Sequence, residues 1–109
     1  MSKLRKYRNI KTEIDGIIFD SKKEAKRYTE LSLLQSQKII KDLETQPRFE
    51  LFVNGVKVCS YIADFRYFDI SQQKWIVEDV KSSATKTPLY RLKKKILANQ
   101  LHPVYITEV

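Results

Sequence analysis

Apolar residues recur along this chain at two different periods, and the switches between them divide it into elements. From Ser21 to about Gln37, Ala25, Tyr28, Leu31 and Leu34 fall three and four residues apart, the spacing that lines one side of an α-helix. Lys22, Lys23, Lys26 and Arg27 crowd the other side, so one face is core and the other basic. A second helix is expected from Thr87-Pro88, an N-cap residue followed by proline in the first turn. Its expected apolar stripe is Leu89, Leu92, Ile96, Leu97 and Leu101, its basic belt is Arg91, Lys93, Lys94 and Lys95, and His102-Pro103 ends it.

Elsewhere the period shortens toward two. Thr12 to Phe19, with Asp15-Gly16 at its centre, predicts a short two-stranded flap. Ile39 to Val53 reads as extended, interrupted by Pro47, with Phe49, Leu51 and Val53 alternating, and Asn54-Gly55 closes a hairpin. A tight turn there pairs Val53 with Val56 and Leu51 with Val58. The return strand is expected to run on through Tyr61-Ile62-Ala63-Asp64-Phe65, a third strand to span Lys74 to Lys81, and a last one Val104 to Val109. Ser82 to Lys86 reads as a polar loop. The predicted order is helix, three strands, helix, strand: an α/β domain in which two helices flank a small, mixed, largely antiparallel sheet. Without internal repeat or low-complexity linker, residues 1–109 form one domain, and residues 1–10 read as a flexible basic arm because the first eight carry four basic side chains and no acid.

Composition narrows the function. At 42% hydrophobic the chain can build a core without covalent help, and the lone Cys59 has no internal disulfide partner, so a reducing compartment is expected. No apolar run reaches the length of a membrane span, and the first residues lack the hydrophobic segment of a signal peptide, which predicts a cytoplasmic protein. A formal charge of +8 favours a polyanionic partner, nucleic acid first and an anionic membrane surface second. With 2 glycines in the chain there is no phosphate-cradling glycine loop.

The candidate chemistry lies in two carboxylates. Asp64 and Asp79 each occupy a place where an apolar strand should hold a hydrophobic residue, and two carboxylates on adjacent strands repel unless a cation lies between them. Hard oxygen donors of this kind suit Mg²⁺ or Mn²⁺ and not zinc. Strand alternation turns Asp79 and Lys81 to one face and Val80 to the other, placing an ammonium beside the acids. Cation, carboxylates and lysine together can activate water and stabilise a pentacovalent phosphate, the requirements of phosphodiester hydrolysis. An ion pair of Asp64 with Arg66, or of Asp79 with Lys81, is the plain structural alternative, and Glu78, facing away from Lys81, is expected to be a peripheral acid.

Ile62-Ala63-Asp64 followed by Asp79-Val80-Lys81 on the next strand resembles the PD-(D/E)XK nuclease superfamily, with Ala63 where the motif's name has proline. The resemblance spans nearly the whole chain, because the element order is similar to that family's restriction-endonuclease-like core. It implies a Mg²⁺- or Mn²⁺-dependent endodeoxyribonuclease in which Asp64, Asp79 and the Val80 carbonyl hold the metal and Lys81 serves the attacking water. Small size and high charge look most like phage-encoded nucleases and Holliday-junction resolvases, which implies DNA recombination or replication in a bacterial host and a homodimer with one site per strand. The family's first-helix acid corresponds to Glu24. Ser21-Lys22-Lys23-Glu24 is equally a capping-box pattern, so Glu24 reads as ligand or as cap. Lys86, Arg91, Lys94 and Lys95 are candidate phosphate contacts, although a solvated helix face explains Lys94 and Lys95 as well. Tyr61, Tyr67, Tyr90 and Trp75 read as core or rim aromatics, and His102 as a helix terminus. Two other readings remain beside the enzyme: an inactive basic nucleic-acid-binding accessory protein, and a phage-type inhibitor of a host protein.

Overall fold

A long β-ribbon, bent once in the middle, organises the chain. In the computed structural model, which describes residues 10–109, strand β3 (Ile40–Thr45) runs into β4 (Arg48–Val53), turns at Asn54-Gly55, and returns as β5 (Val56–Ile62) and β6 (Phe65–Asp69). β4 pairs with β5 and β3 with β6, both antiparallel. The bend falls at Gln46-Pro47 opposite Ala63-Asp64, where two backbone bonds carry the pairing across it: Gln46 N–H to Asp64 O at 2.9 Å and Ala63 N–H to Pro47 O at 3.0 Å. Proline cannot donate to a ladder, and Gln46 before it takes φ 53°, so the strand breaks there.

This corrects two expectations. Ile39 to Val53 is two strands, and the return strand stops at Ile62, leaving Asp64 in the corner and not within a strand. β6, which the sequence reading did not separate, is hidden by the adjacent aromatics Tyr67 and Phe68, which break the two-residue alternation. The sheet therefore has four strands, ordered β3-β6-β7-β8, with β7 (Lys74–Asp79) antiparallel to β6 and β8 (Ile106–Glu108) parallel to β7. The hairpin register differs as well: Val53 faces Val56 as expected, but a bulge after Leu51 sets it opposite Cys59 and not Val58. The bulge puts Val58 on the exposed side with Val56 and Ile62 while Leu51 is buried.

The flap forms as expected from β1 (Thr12–Ile14) and β2 (Ile17–Phe19), with positive φ at both Asp15 and Gly16, the conformation a two-residue hairpin turn demands. α1 (Lys22–Ser36) and this flap cover one face of the sheet, burying Phe19, Ala25, Leu31, Ile40, Phe65 and Tyr67. α2 (Pro88–Ala98) and the β4-β5 hairpin cover the other, with Leu51, Tyr61, Ala63, Val77, Tyr90, Leu97 and Ile106 inside. The basic arm expected over residues 1–10 falls, apart from Ile10, outside the described residues. Among the described residues no helix is long and apolar enough to cross a membrane.

α2 is capped by Thr87, whose Oγ1 accepts the Tyr90 N–H at 3.1 Å, as its sequence predicts. Its buried side is rotated from the expected stripe. Tyr90 and Leu97, two turns apart, point inward, Ile96 packs at the margin, Leu89 and Leu92 are exposed, and Leu101 lies beyond the helix and is 90% exposed. The Tyr90 ring packs 6.1 Å from that of Tyr61 and its hydroxyl reaches Glu108, so the amphipathic tyrosine takes the place the leucines were expected to fill.

The rotation has a measurable consequence. Leu97 is fully buried and Leu92 is 54% exposed. Leu97→Ala should lower the unfolding free energy by about 2–5 kcal/mol in urea titration, and Leu92→Ala by no more than about 0.5 kcal/mol. Equal losses would restore the sequence-derived stripe.

Candidate active site

The corner of the ribbon and the end of β7 meet in a reciprocal clasp. The Asp64 N–H donates to Asp79 Oδ1 at 3.0 Å and, at 3.1 Å, to the Glu78 carbonyl, while the Val80 N–H donates to Asp64 Oδ2 at 2.7 Å. Each carboxylate is thus held by the other's backbone neighbourhood, which brings the two acids together as their sequence positions predicted. Asp79 is 2% exposed, and its second oxygen, Oδ2, is buried without a hydrogen-bond partner among the described residues. The alternative ion pair of Asp64 with Arg66 does not form: Arg66 lies 3.0 Å from Glu44 and stacks over Trp75.

Lys81, two residues past Asp79, holds its Nζ 4.2 Å from the centre of the Tyr90 ring. The aromatic face attracts the ammonium, and from that position Lys81 opposes the rise in pKa of both acids. Val80 packs its side chain toward α1 and contributes its amide to Asp64.

Glu24 resolves as more than a cap. Ser21 Oγ accepts the Glu24 N–H at 3.1 Å, so Ser21 caps α1, but no reciprocal bond from the Glu24 carboxylate to Ser21 is present among the described residues. The half-buried Glu24 side chain instead lies in the field of the two aspartates. Its pKa is pushed up to about 7, first by burial and then by the negative charges of Asp64, Asp20 and Asp79, with Lys81 opposing. Burial pushes Asp79 up to about 6 against the pull of Lys81 and the Asp64 amide, with Glu108 adding to the rise. Asp64 is also raised, again by burial first, with the Val80 amide and Lys81 opposing. Three acids share one region, all resisting ionisation. Among the described residues, however, no three His, Cys, Asp or Glu side chains are grouped so as to hold an ion between them. The cluster is a concentration of negative charge and not a closed cage.

Two acids missed in the sequence complete the surroundings. Glu78, expected to be peripheral, is 1% exposed. It accepts two bonds from Arg27, at 2.8 and 2.7 Å, and a third from the Tyr67 hydroxyl. The signal was present: Glu78 alternates with Ile76 and Val80 on the face that α1 covers, and a buried carboxylate needs a cation, which Arg27 supplies. Glu108 carries no motif and was found only in the fold. It takes the Tyr90 hydroxyl at 2.7 Å, Lys86 at 3.0 Å and Lys94 at 3.1 Å, and these three hold its pKa down at about 2. Of the four expected phosphate contacts, Lys86 and Lys94 therefore share one carboxylate within the protein, while Arg91 and Lys95 stay exposed.

Raised carboxylate pKa values set a pH dependence. Glu24 and Asp79 bind protons more tightly folded than unfolded, where carboxyls titrate near 4. Their stabilising contribution is complete below that value and is lost as pH rises through about 6 for Asp79 and about 7 for Glu24. The urea midpoint, measured without divalent cation, should fall between about pH 4 and pH 7. Glu24→Gln and Asp79→Asn should each flatten the fall; a midpoint that climbs through this window would contradict the geometry.

Comparison with known proteins adds family membership without chemistry. No curated protein and no solved structure matches the chain. The family model described as a protein of unknown function, DUF1064, matches residues 4–109, and the chain belongs to that family.

Proposed function

We propose that this protein is a metal-dependent nuclease hydrolysing DNA phosphodiester bonds, on a core of the restriction-endonuclease kind. The observation that carries the reading is the pair of clasped aspartates, Asp64 half-buried and Asp79 buried with an unpartnered oxygen, beside Glu24 and Lys81. Burying carboxylates costs several kcal/mol each unless an opposite charge compensates. Lys81 compensates in part, and a bound cation would supply the remainder.

The donor chemistry fits a hard divalent ion. Mg²⁺ or Mn²⁺ would be held by Asp64 and Asp79, with Glu24 and the Val80 carbonyl as further oxygen donors, and would supply Lewis-acid charge to a phosphate and a water. Ions of this class keep several waters and share the rest of their shell with substrate phosphate, so an open pair of carboxylates suits them better than a closed cage would.

The chain's own residues have separable roles. The clasp holds the two aspartates at one spacing and costs no reorganisation when substrate arrives. Lys81 places an ammonium on the same side to orient the attacking water and stabilise charge on phosphate. Glu24, at a pKa of about 7, is balanced to hold or release a proton at neutral pH. Cutting both strands of a duplex or branched DNA would take two copies of so small a domain, one site per strand.

The direct test is cleavage of labelled duplex, single-stranded and four-way-junction DNA with Mg²⁺ or Mn²⁺. Wild type should cut only with the metal, and Asp79→Asn and Lys81→Ala should each lose about 100-fold or more in rate while still binding DNA. Binding without cleavage on all three substrates would replace the nuclease with an accessory binding protein. Millimolar Mg²⁺ should also raise the urea midpoint near pH 7, where the carboxylates are charged, and leave it unchanged in Asp64→Asn/Asp79→Asn.

A further inference from the structure

We infer that a recess between α1 and the adjoining ends of β7 and β8 receives two neighbouring backbone phosphates of the bound nucleic acid, carrying the strand from the acids across α1. The inference deepens the nuclease reading and rests on it for the choice of nucleic acid as ligand. Lys23, Lys26, Arg27 and Glu30 rim the recess, and Val80 and Val109 complete its lining.

Charge accounting within the recess singles out two side chains. Arg27 is committed to Glu78 and Glu30, at 2.7 and 3.1 Å, and the three together keep one net negative charge. Lys23 meets an uncharged partner, donating from Nζ to the Lys81 carbonyl at 3.1 Å, and Lys26 makes no ion pair among the described residues. Two exposed ammonium groups, one helical turn apart, thus remain without an acidic partner of their own and leave the recess net positive. On α2, by contrast, Glu108 already takes up Lys86 and Lys94.

Position ties the recess to the acids. Lys23 precedes Glu24 in the chain and touches the backbone of Lys81, while Val80 lines the recess and sends its amide to Asp64. One turn of helix and the end of one strand therefore present the carboxylates on one side and the two lysines on the other. A strand with a phosphate at the acids has neighbouring phosphates within reach of Lys23 and Lys26, and such contacts position without reading sequence.

The experiment is anisotropy of a labelled DNA oligonucleotide in EDTA, so that no cutting occurs, across a series of KCl concentrations. Each neutralised phosphate contributes about 0.9 to the slope of log affinity against log salt. Lys23→Gln/Lys26→Gln should weaken binding and reduce that slope by about 2, whereas Lys23→Arg/Lys26→Arg should keep both near wild type, separating lost charge from lost fold. An unchanged slope in the glutamine variant would overturn the proposal. So would failure of wild type to bind, or equal competition by phosphatidylserine vesicles. If wild type binds with the expected slopes but does not cut when Mn²⁺ is added, the recess stands and the nuclease reading fails.

Discussion

The exchange of hydrogen bonds between Asp64 and the Asp79-Val80 backbone is the constraint on which the rest of the structure depends. Bonds from amides to charged carboxylates contribute roughly 1.5–3 kcal/mol each, and here they join the bend of the ribbon to the end of the central strand β7. The bend is necessary to them. An unbroken strand through Ala63 and Asp64 would spend the Asp64 amide on an ordinary ladder, whereas the break at Gln46-Pro47 frees it to reach both Glu78 O and Asp79 Oδ1. The same bend lets one ribbon serve two purposes, its β3-β6 half lying in the sheet and its β4-β5 half covering α2.

Buried charge is arranged differently on the two faces of β7. Toward α1, Glu78 is fully matched: the Arg27 fork and the Tyr67 hydroxyl satisfy it and fasten the helix to the strand. A bidentate pair of this kind gains specificity of docking more than net stability, since desolvation offsets much of the attraction. Toward α2, Asp79 is left under-satisfied, with one oxygen unpartnered and its pKa raised. Adjacent acids on one strand thus differ in how far the fold satisfies them. Pinning Arg27 also fixes Glu24, one turn earlier on α1, over the aspartates.

Surface charge follows a similar division. A net charge of +8 suggests a uniformly basic surface, but Lys86 and Lys94 are paired with Glu108, and Arg27 is paired with both Glu30 and Glu78. Among the exposed basic groups without an ion pair in the described residues are Lys23 and Lys26 beside the recess, and Arg91 and Lys95 on the exposed side of α2.

The sequence alone determined both helices, the flap, the two hairpin turns and the pairing of Asp64 with Asp79, because each depends on local chemistry: caps at Ser21 and Thr87, glycine where φ is positive, and acids at apolar positions. Tertiary structure decided the rest. At the break that Pro47 imposes it set the bend, packing one half of the ribbon against α2 and the other into the sheet. It inserted the bulge after Leu51 and rotated α2 onto Tyr90 and Leu97, because the facing Tyr61 and Glu108 come from segments distant along the chain. Of the two readings of Glu24, cap or companion of the aspartates, it favoured the second, and it made the expected peripheral acid Glu78 a buried anchor. A carboxylate's role depends on which charges and how much water surround it in the fold, and spacing along the chain specifies neither.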